Sequence, residues 1–429
     1  MRYVKAIAPA KVNLALRVGA ARSDGFHPLD TVFEALDLYE EFEAWDDPSG
    51  DIALTFAPGL GSSLPVDASN LAIRAARELR RECGVSHGAK MRIAKHIPIA
   101  GGMAGGSADA AATLVGLNEL WQVGLDAQEL ATIGARLGSD VPFALMGGVA
   151  HGTGRGEYLS AVPTNARHGF VMLTNPRGLS TPAVFRHFDA MMLPSAEPLS
   201  HGAPTSTQEL RDVLTDAAAT ISADEKRGSA DTCAGVSASG CADAHTGARL
   251  SGNADGNAAH HFGNDAGSLE RLGSLMVNDL EAPAFALRPD LERIIEQLRA
   301  MAHDSRGSKD ECGNKGREGE RRSKGSADKR RGQGEREGTW STHAAASQKT
   351  AATPNGSTLA PIFGVILSGS GPTLAVLCAP ADATALAAEL DCRFPELMAI
   401  AAHGPAEGAR VVEVRDEYPM RAHAHEWHV

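Results

Sequence analysis

Tyr3 to Ala8 and Val12 to Val18 alternate in side-chain character, the period of two expected of strands with one face in a core. Asn70 to Cys83 switches to a helical period, with Leu71, Ala75, Ala76 and Leu79 recurring on one face. Lys90 to His96 is a short strand pattern. Ala108 to Trp121 reads as an Ala- and Leu-rich helix, and Gln128 to Leu137 as another that Gly138 ends as a C-cap. Phe170 to Asn175 is apolar and strand-like. Leu269 to His303 regains helical periodicity. Phe363 to Leu367 and Thr373 to Cys378 read as strands around the glycine turn Ser368 to Gly371, and Ala381 to Cys392 as a helix. No internal repeat is visible.

Two stretches break this pattern. Ala218 to Gly267 is built from Ala, Gly, Ser, Asp, Asn and His, and Ser305 to Ser357 from Gly, Lys, Arg and Glu. Neither has enough large aliphatic side chains to offset the entropy of ordering, so both are expected to be disordered insertions. Closure entropy grows only logarithmically with loop length, so a folded domain tolerates them at its surface. The expected organisation is a first domain over 1–165 and a second over 166–415, interrupted at about 218–267 and 305–357, with a flexible tail over 416–429.

Composition narrows the function classes. Of the 429 residues, 43% are hydrophobic but only 5% aromatic, and 46 are glycine, which implies an aliphatic core with much loop sequence. A net charge of −12 argues against nucleic-acid or membrane-surface partners, which need clustered Lys and Arg. The six cysteines form no CxxC pair and no disulfide framework, pointing to a reducing compartment. No apolar run is long enough to be a signal h-region or to cross a bilayer, so the expectation is a cytoplasmic protein. His260-His261 and the group His423, His425 and His428 match no zinc spacing, and no protein metal site is expected. The run Lys315 to Arg336 interleaves Glu and Asp with its basic residues and reads as a solvated linker.

The densest chemical signal is Pro98-Ile99-Ala100-Gly101-Gly102-Met103-Ala104-Gly105-Gly106-Ser107-Ala108-Asp109. Its four glycines permit positive φ and close approach to a ligand. A helix follows, and free N–H groups at a helix N-terminus attract phosphate. Ser107 suits an N-cap, or its hydroxyl reaches a phosphate oxygen or a metal ion. No Gly-Lys-Ser/Thr ends the loop, and its glycine spacing is not that of a dinucleotide fold. A plain strand-to-helix turn remains the alternative.

Lys11 and Asn13 share one face of a strand, since side chains alternate. Their bland reading is the solvated face of an edge strand. Asp140, in Gly138-Ser139-Asp140-Val141-Pro142-Phe143, follows a helix end, where aspartate is common in turns. Phosphoryl transfer gives the three polar residues a joint purpose. A carboxylate takes the proton of an attacking alcohol, and an ammonium steadies the carboxylate and the charge on the transferred group.

Three ordered motifs resemble those of the GHMP kinases: Pro9-Ala10-Lys11-Val12-Asn13-Leu14, the loop Pro98 to Asp109, and Ser368-Gly369-Ser370-Gly371-Pro372. Further stretches are similar to members whose acceptor is an alcohol carrying cytidine diphosphate. They are Arg22 to Phe33, Gly138 to Phe143, Gly152 to Glu157 and Val277-Asn278-Asp279-Leu280-Glu281. The resemblance implies an α+β, two-domain GHMP kinase fold, with a ribosomal protein S5 domain 2-like N-terminal domain and a ferredoxin-like C-terminal domain. It implies ATP and Mg²⁺ as cofactors, and a monomer or homodimer. By the same resemblance Asp140 is the base and Lys11 its partner, and Pro98 to Ala108 hold the ATP phosphates. Asn13, Phe26, His27, Phe33 and Phe185 surround the cytidine-bearing substrate, with Phe26 and Phe185 stacking on its base. Alone, Phe26 and His27 would read as an ordinary turn before Pro28. Members with mevalonate or homoserine as acceptor, or a silent regulator on the same scaffold, are the competing readings. The chain departs from the family's pattern at Phe26, where tyrosine is common, and at Met103-Ala104, where Leu-Gly is frequent. Ala104 restricts φ if that position is strained.

Overall fold

The computed structural model describes residues 1–61, 63–192, 206–216, 266–307 and 359–416. Two expected insertions, two histidine clusters, the basic run and nearly all of the tail lie outside them. The expected limits overlap structure at two points: a helix starts at Ala266 and another continues to Gly307.

The chain opens with two long strands, β1 (Tyr3–Val18) and β2 (Leu29–Asp47), paired antiparallel from Tyr3↔Trp45 to Val18↔Leu29. The sequence pattern breaks at Pro9, which has no N–H to donate, yet β1 continues through it. A register shift at Pro9/Ala10 absorbs the missing donor, and a second shift follows between Asn13 and Ala15. The hairpin turns at Asp24-Gly25. Gly25 takes φ +80°, and Asp24 Oδ1 accepts from the Phe26 N–H at 3.1 Å.

β3 (Ile52–Phe56), α1 (Leu71–Cys83), β4 (Gly88–Ala94), α2 (Gly105–Leu120), α3 (Ala127–Leu137), α4 (Val141–Met146), β5 (Val149–Gly154) and β6 (Tyr158–Ala161) follow. Asn70 caps α1 by accepting from the Ala72 N–H, and Asp126 and Glu129 close a reciprocal capping box on α3. Gly138 does end α3, in extended rather than left-handed backbone. α2 is buried nearly all round, which explains its run of alanines: β1, β2 and α1 approach it from different sides. Burying a large side chain such as Phe42 against it contributes roughly 2–3 kcal/mol.

The second half supplies β7 (His168–Thr174), α5 (Thr181–Met192) and a helix over 208–216 (α6). Then come α7 (Ala266–Leu275), β8 (Val277–Asn278), α8 (Glu281–Leu287) and α9 (Pro289–Gly307), followed by β9 (Ile362–Leu367), β10 (Leu374–Cys378), α10 (Ala383–Arg393), β11 (Met398–Gly404) and β12 (Arg410–Arg415). Four of these strands form an antiparallel sheet in the order β11-β7-β10-β9. A separate apolar cluster on it includes Phe188, Leu291, Ile295 and Leu390 from α5, α9 and α10.

The first sheet runs β12-β1-β2-β4-β3, with β5 on β2, β6 on β5 and β8 on β1. β12 therefore leaves the second lobe and pairs with β1, from Tyr3↔Arg415 to Ile7↔Arg410. The last strand of the expected span 166–415 thus joins the first sheet. Between the lobes, buried His168 Nδ1 meets both oxygens of buried Glu34, at 2.9 and 2.8 Å.

Candidate active site

At Lys11 and Asn13 β1 pairs with β2 alone, since β12 covers Tyr3 to Ile7 and β8 covers Ala15 and Leu16, yet both side chains are buried and the face is not solvated. They are 5% and 2% exposed. A buried relay fixes them. Lys11 Nζ donates to Asn13 Oδ1 at 2.6 Å, Asn13 Nδ2 donates to Thr31 Oγ1 at 2.9 Å, and Thr31 Oγ1 donates to the Ala15 carbonyl at 2.7 Å. Burial pushes the Lys11 pKa below its ordinary value, and the charge of Asp140 pulls it back up. Asp140 stands at the head of α4 but makes no capping hydrogen bond. Among the described residues its carboxylate has no direct partner, which leaves it available to a ligand.

The glycine loop differs from expectation in one respect. α2 begins at Gly105, three residues before Ala108, and the N-cap position is Ala104 with φ +60° and no side-chain cap. Ser107 therefore lies inside the first turn and does not cap. Ala100 is also left-handed, at φ +54°. Such backbone costs a non-glycine residue roughly 1–2 kcal/mol, so the surroundings must hold it. In return, the first-turn N–H groups of Gly105, Gly106 and Ser107 have no intrahelical acceptors and face the cavity at the positive end of α2.

The second glycine turn supplies that hold. Ser368 Oγ donates to the Gly102 carbonyl at 3.1 Å, and the Lys11 N–H reaches the Met103 carbonyl at 3.3 Å. Gly102 has φ +72°, and a Cβ there would lie 2.2 Å from the Ser368 carbonyl oxygen. A Cβ on Gly369 would lie 3.1 Å from Lys11 Nζ. The three motifs, remote in sequence, thus pack on one another. Asn278 braces the turn, donating to the Leu367 and Gly369 carbonyls at 2.8 and 2.6 Å. Glu281 accepts from the Leu367 N–H at 3.1 Å.

One cavity of about 840 Å³ collects these groups. Lys11, Asn13, Phe26, His27, Phe33, Asp140 and Phe185 line it, with Pro98, Ile99, Ala100, Gly101, Gly102, Ala104, Gly105, Gly106 and Ser107. Met103 and Ala108 do not, because both are buried in the core beneath the loop. Phe26 is 49% exposed and carries the Arg155 guanidinium 4.8 Å from its ring centre. Phe185 lies against the His27 ring at 4.9 Å. Phe33 stacks on Phe143 at 4.9 Å and sits 5.7 Å from Lys11 Nζ, so it is a wall beside the lysine.

Sequence reasoning passed over a buried cluster under the loop. Lys95 Nζ donates to Asp109 Oδ2 at 2.8 Å and also pairs with Glu40. Glu40 in turn accepts from the His96 N–H at 2.8 Å. Two carboxylates share one ammonium. Burial first, and then the Asp109 charge, push Glu40 up to about 7 against the attraction of Lys95, and burial likewise raises Asp109. In the sequence only Lys95 and Asp109 flank the loop; Glu40, distant in β2, carries no signal that it joins them. Arg155 and Asp189 also line the cavity, and no sequence signal marks either for it.

Residues 70–148 match the family described as GHMP kinases N terminal domain. A 4-diphosphocytidyl-2-C-methyl-D-erythritol kinase of Nocardioides sp. is 35% identical over 407 residues, which covers 94% of this chain and 98% of that protein. One of Nocardia farcinica is 34% identical, covering 95% of each. Among solved structures, a 4-(cytidine 5'-diphospho)-2C-methyl-D-erythritol kinase superposes with a TM-score of 0.54 at 22% identity, over 93% of this chain and 98% of that one. An L. major mevalonate kinase gives 0.52 at 16% identity, over 94% and 96%. At those identities the two structures establish the shared fold alone.

Proposed function

This chain belongs to the GHMP kinases, in the family of 4-diphosphocytidyl-2-C-methyl-D-erythritol kinases, and from that premise we propose how its own residues carry out the reaction. It transfers the γ-phosphoryl group of ATP to the 2-hydroxyl of 4-diphosphocytidyl-2-C-methyl-D-erythritol, giving the 2-phosphate and ADP. That step lies on the non-mevalonate route to isopentenyl diphosphate. The observation that carries the reading is the convergence of Lys11, Asp140, the glycine loop and the Phe26–His27–Phe185 group on one cavity.

The glycine loop and the first turn of α2 take the triphosphate through their backbone N–H groups. Mg²⁺ supplies charge neutralisation on the phosphates. Among the described residues no group of three or more potential metal ligands is gathered, which suits an ion held chiefly by the nucleotide and water. The Ser107 hydroxyl, in the first turn of α2 beside the phosphates, would hold it there.

Asp140 accepts the proton of the 2-hydroxyl as the oxygen attacks. Lys11, oriented by Asn13, lowers the hydroxyl's pKa and meets the negative charge on the transferred group. Low local polarity around the buried ammonium strengthens both effects. Phe26, His27, Phe33 and Phe185 receive the cytidine end, where aromatic walls offer stacking area. The lobes meet around the cavity, the first sheet built within residues 1–165 with β8 and β12 added, and the second from the remainder. No helix among the described residues is long and apolar enough to cross a membrane, and we place the enzyme in the cytoplasm, acting on a small molecule as a monomer or homodimer.

An ADP-release assay with 4-diphosphocytidyl-2-C-methyl-D-erythritol, mevalonate and homoserine tests the reading. ADP formation is expected with the first alone. Turnover of either other acceptor would reassign the substrate, and no ADP with any of them would favour a silent regulator.

A further inference from the structure

His27 comes from the turn before β2, in the first lobe, but three residues of α5, in the second, grip its ring. Phe185 lies on its face at 4.9 Å, Phe188 meets it edge-on at 5.8 Å, and Asp189 Oδ1 is 2.8 Å from Nε2. Phe185, Phe188 and Asp189 are spaced i, i+3 and i+4, so one helical face grips one imidazole. The His27 side chain is 5% exposed and that of Asp189 43%. Among the described residues Nδ1 has no hydrogen-bond partner, and the ring lines the cavity.

A carboxylate only accepts hydrogen bonds, so the contact with Asp189 requires the proton on Nε2. In the neutral ring Nδ1 is then an acceptor. Rotating the proton to Nδ1 would set two lone pairs against each other at 2.8 Å. We propose that Asp189 is a positioning residue for substrate choice: by locking the Nε2–H tautomer of His27 it turns the Nδ1 lone pair toward the base, selecting cytosine over uracil. Cytosine offers an amino N–H donor at its 4-position. Uracil offers a carbonyl oxygen there, which would face the Nδ1 lone pair with no proton between them. A pocket that rejects a mispaired polar group discriminates far more sharply than one that senses size. The inference rests on reading His27 as the base-facing residue.

Asp189→Asn tests it. The amide keeps the shape but can donate to Nε2, which releases the Nδ1–H tautomer. Wild type is expected to favour the cytidine diphosphate substrate strongly over its uridine diphosphate counterpart. In Asp189→Asn the ratio of the two kcat/KM values should fall at least tenfold, on the order of one lost buried hydrogen bond. The loss should lie mainly in KM for the cytidine substrate, with KM for ATP within about twofold of wild type. Imidazole ¹⁵N shifts of His27 in the free enzyme should report Nε2–H alone in wild type and a tautomer mixture in the variant. An unchanged cytidine-to-uridine ratio would overturn the proposal, as would equal losses on both substrates, which mean Asp189 merely braces α5. A wild type that ignores the cytidine substrate would overturn the reading of the site instead, whatever the ¹⁵N shifts show.

Discussion

Lys11 donates to Asn13 Oδ1 over 2.6 Å in a buried strand and makes no direct ion pair with Asp140, although the Asp140 charge acts on it across the cavity. In the proposed reaction the attacking hydroxyl sits in the gap between ammonium and carboxylate. A tight Lys11–Asp140 pair would shut that space. Asn13 removes the need for one by satisfying the ammonium from its own strand.

Asp140→Asn therefore separates binding from chemistry. The amide retains size but cannot take a proton. We expect kcat to fall by roughly 10²–10⁴, the usual share of a positioned general base, with both substrates still binding by calorimetry. A variant turning over near the wild-type rate would remove Asp140 from the role of base.

Lys11 sets the alkaline limit. Because burial lowers its pKa below 10.5, the ammonium is lost at a lower pH than for a free lysine, and kcat/KM should decline correspondingly early. Asp140 opposes the shift, so Asp140→Asn should lower the Lys11 pKa further. Side-chain NMR titration of Lys11 in both proteins measures this, and a rise in the variant would contradict the electrostatic coupling.

Gly102 is the joint between two glycine turns. In Gly102→Ala the new methyl meets the Ser368 carbonyl at 2.2 Å while the backbone stays at φ +72°. Either strain alone costs on the order of 1–3 kcal/mol. A lower Tm and at least tenfold weaker ATP binding are expected, with the cytidine substrate affected less. Unaltered ATP affinity would show that the loop does not depend on its seat.

Ala104→Gly should act the other way. Ala104 sits at φ +60° without a cap, and glycine relieves up to about 1 kcal/mol of that strain. Thermal unfolding should shift upward by a few degrees, and a decrease would mean that the flexibility gained in the unfolded chain outweighs the relief.

Glu40 gives a stability signature with a defined sign. Its pKa rises from 4.5 to about 7 on folding, mainly through burial. The folded state thus holds the proton more tightly than the unfolded one. The site's contribution is full below about pH 4.5 and is lost as pH rises through about 7. A shift of that size corresponds to at most about 3 kcal/mol. Comparing wild type with Glu40→Gln by denaturant unfolding between those limits should show wild type losing relative stability as pH increases. A flat difference would contradict a raised Glu40 pKa in the folded state.

Much of this was legible in the chain itself. Period-two and helical patterns placed β1, α1, α3, β7, β9 and β10, because half-buried elements must repeat apolar residues at the pitch of their backbone. Lys11, Asp140 and the glycine loop stood out because polar and glycine residues interrupt that repeat for a reason other than packing. The start of α2 was misplaced by three residues, since nothing local reveals that Ala104 accepts a left-handed φ and admits Gly105 and Gly106 to the helix. β12 escaped notice because a strand's partner is chosen across the whole fold: the edge of β1 that accepts it is made some four hundred residues earlier.

The order of motifs thus determined the family and the kind of chemistry. Only the tertiary structure decided which groups meet. Ser368 is brought onto Gly102, Asp189 onto His27, and Lys95 is set between Glu40 and Asp109, by contacts among segments far apart in the chain. A linear pattern records which face of an element is buried. It does not record what lies on the other side, and in these three places that neighbour determines backbone strain, tautomer and charge.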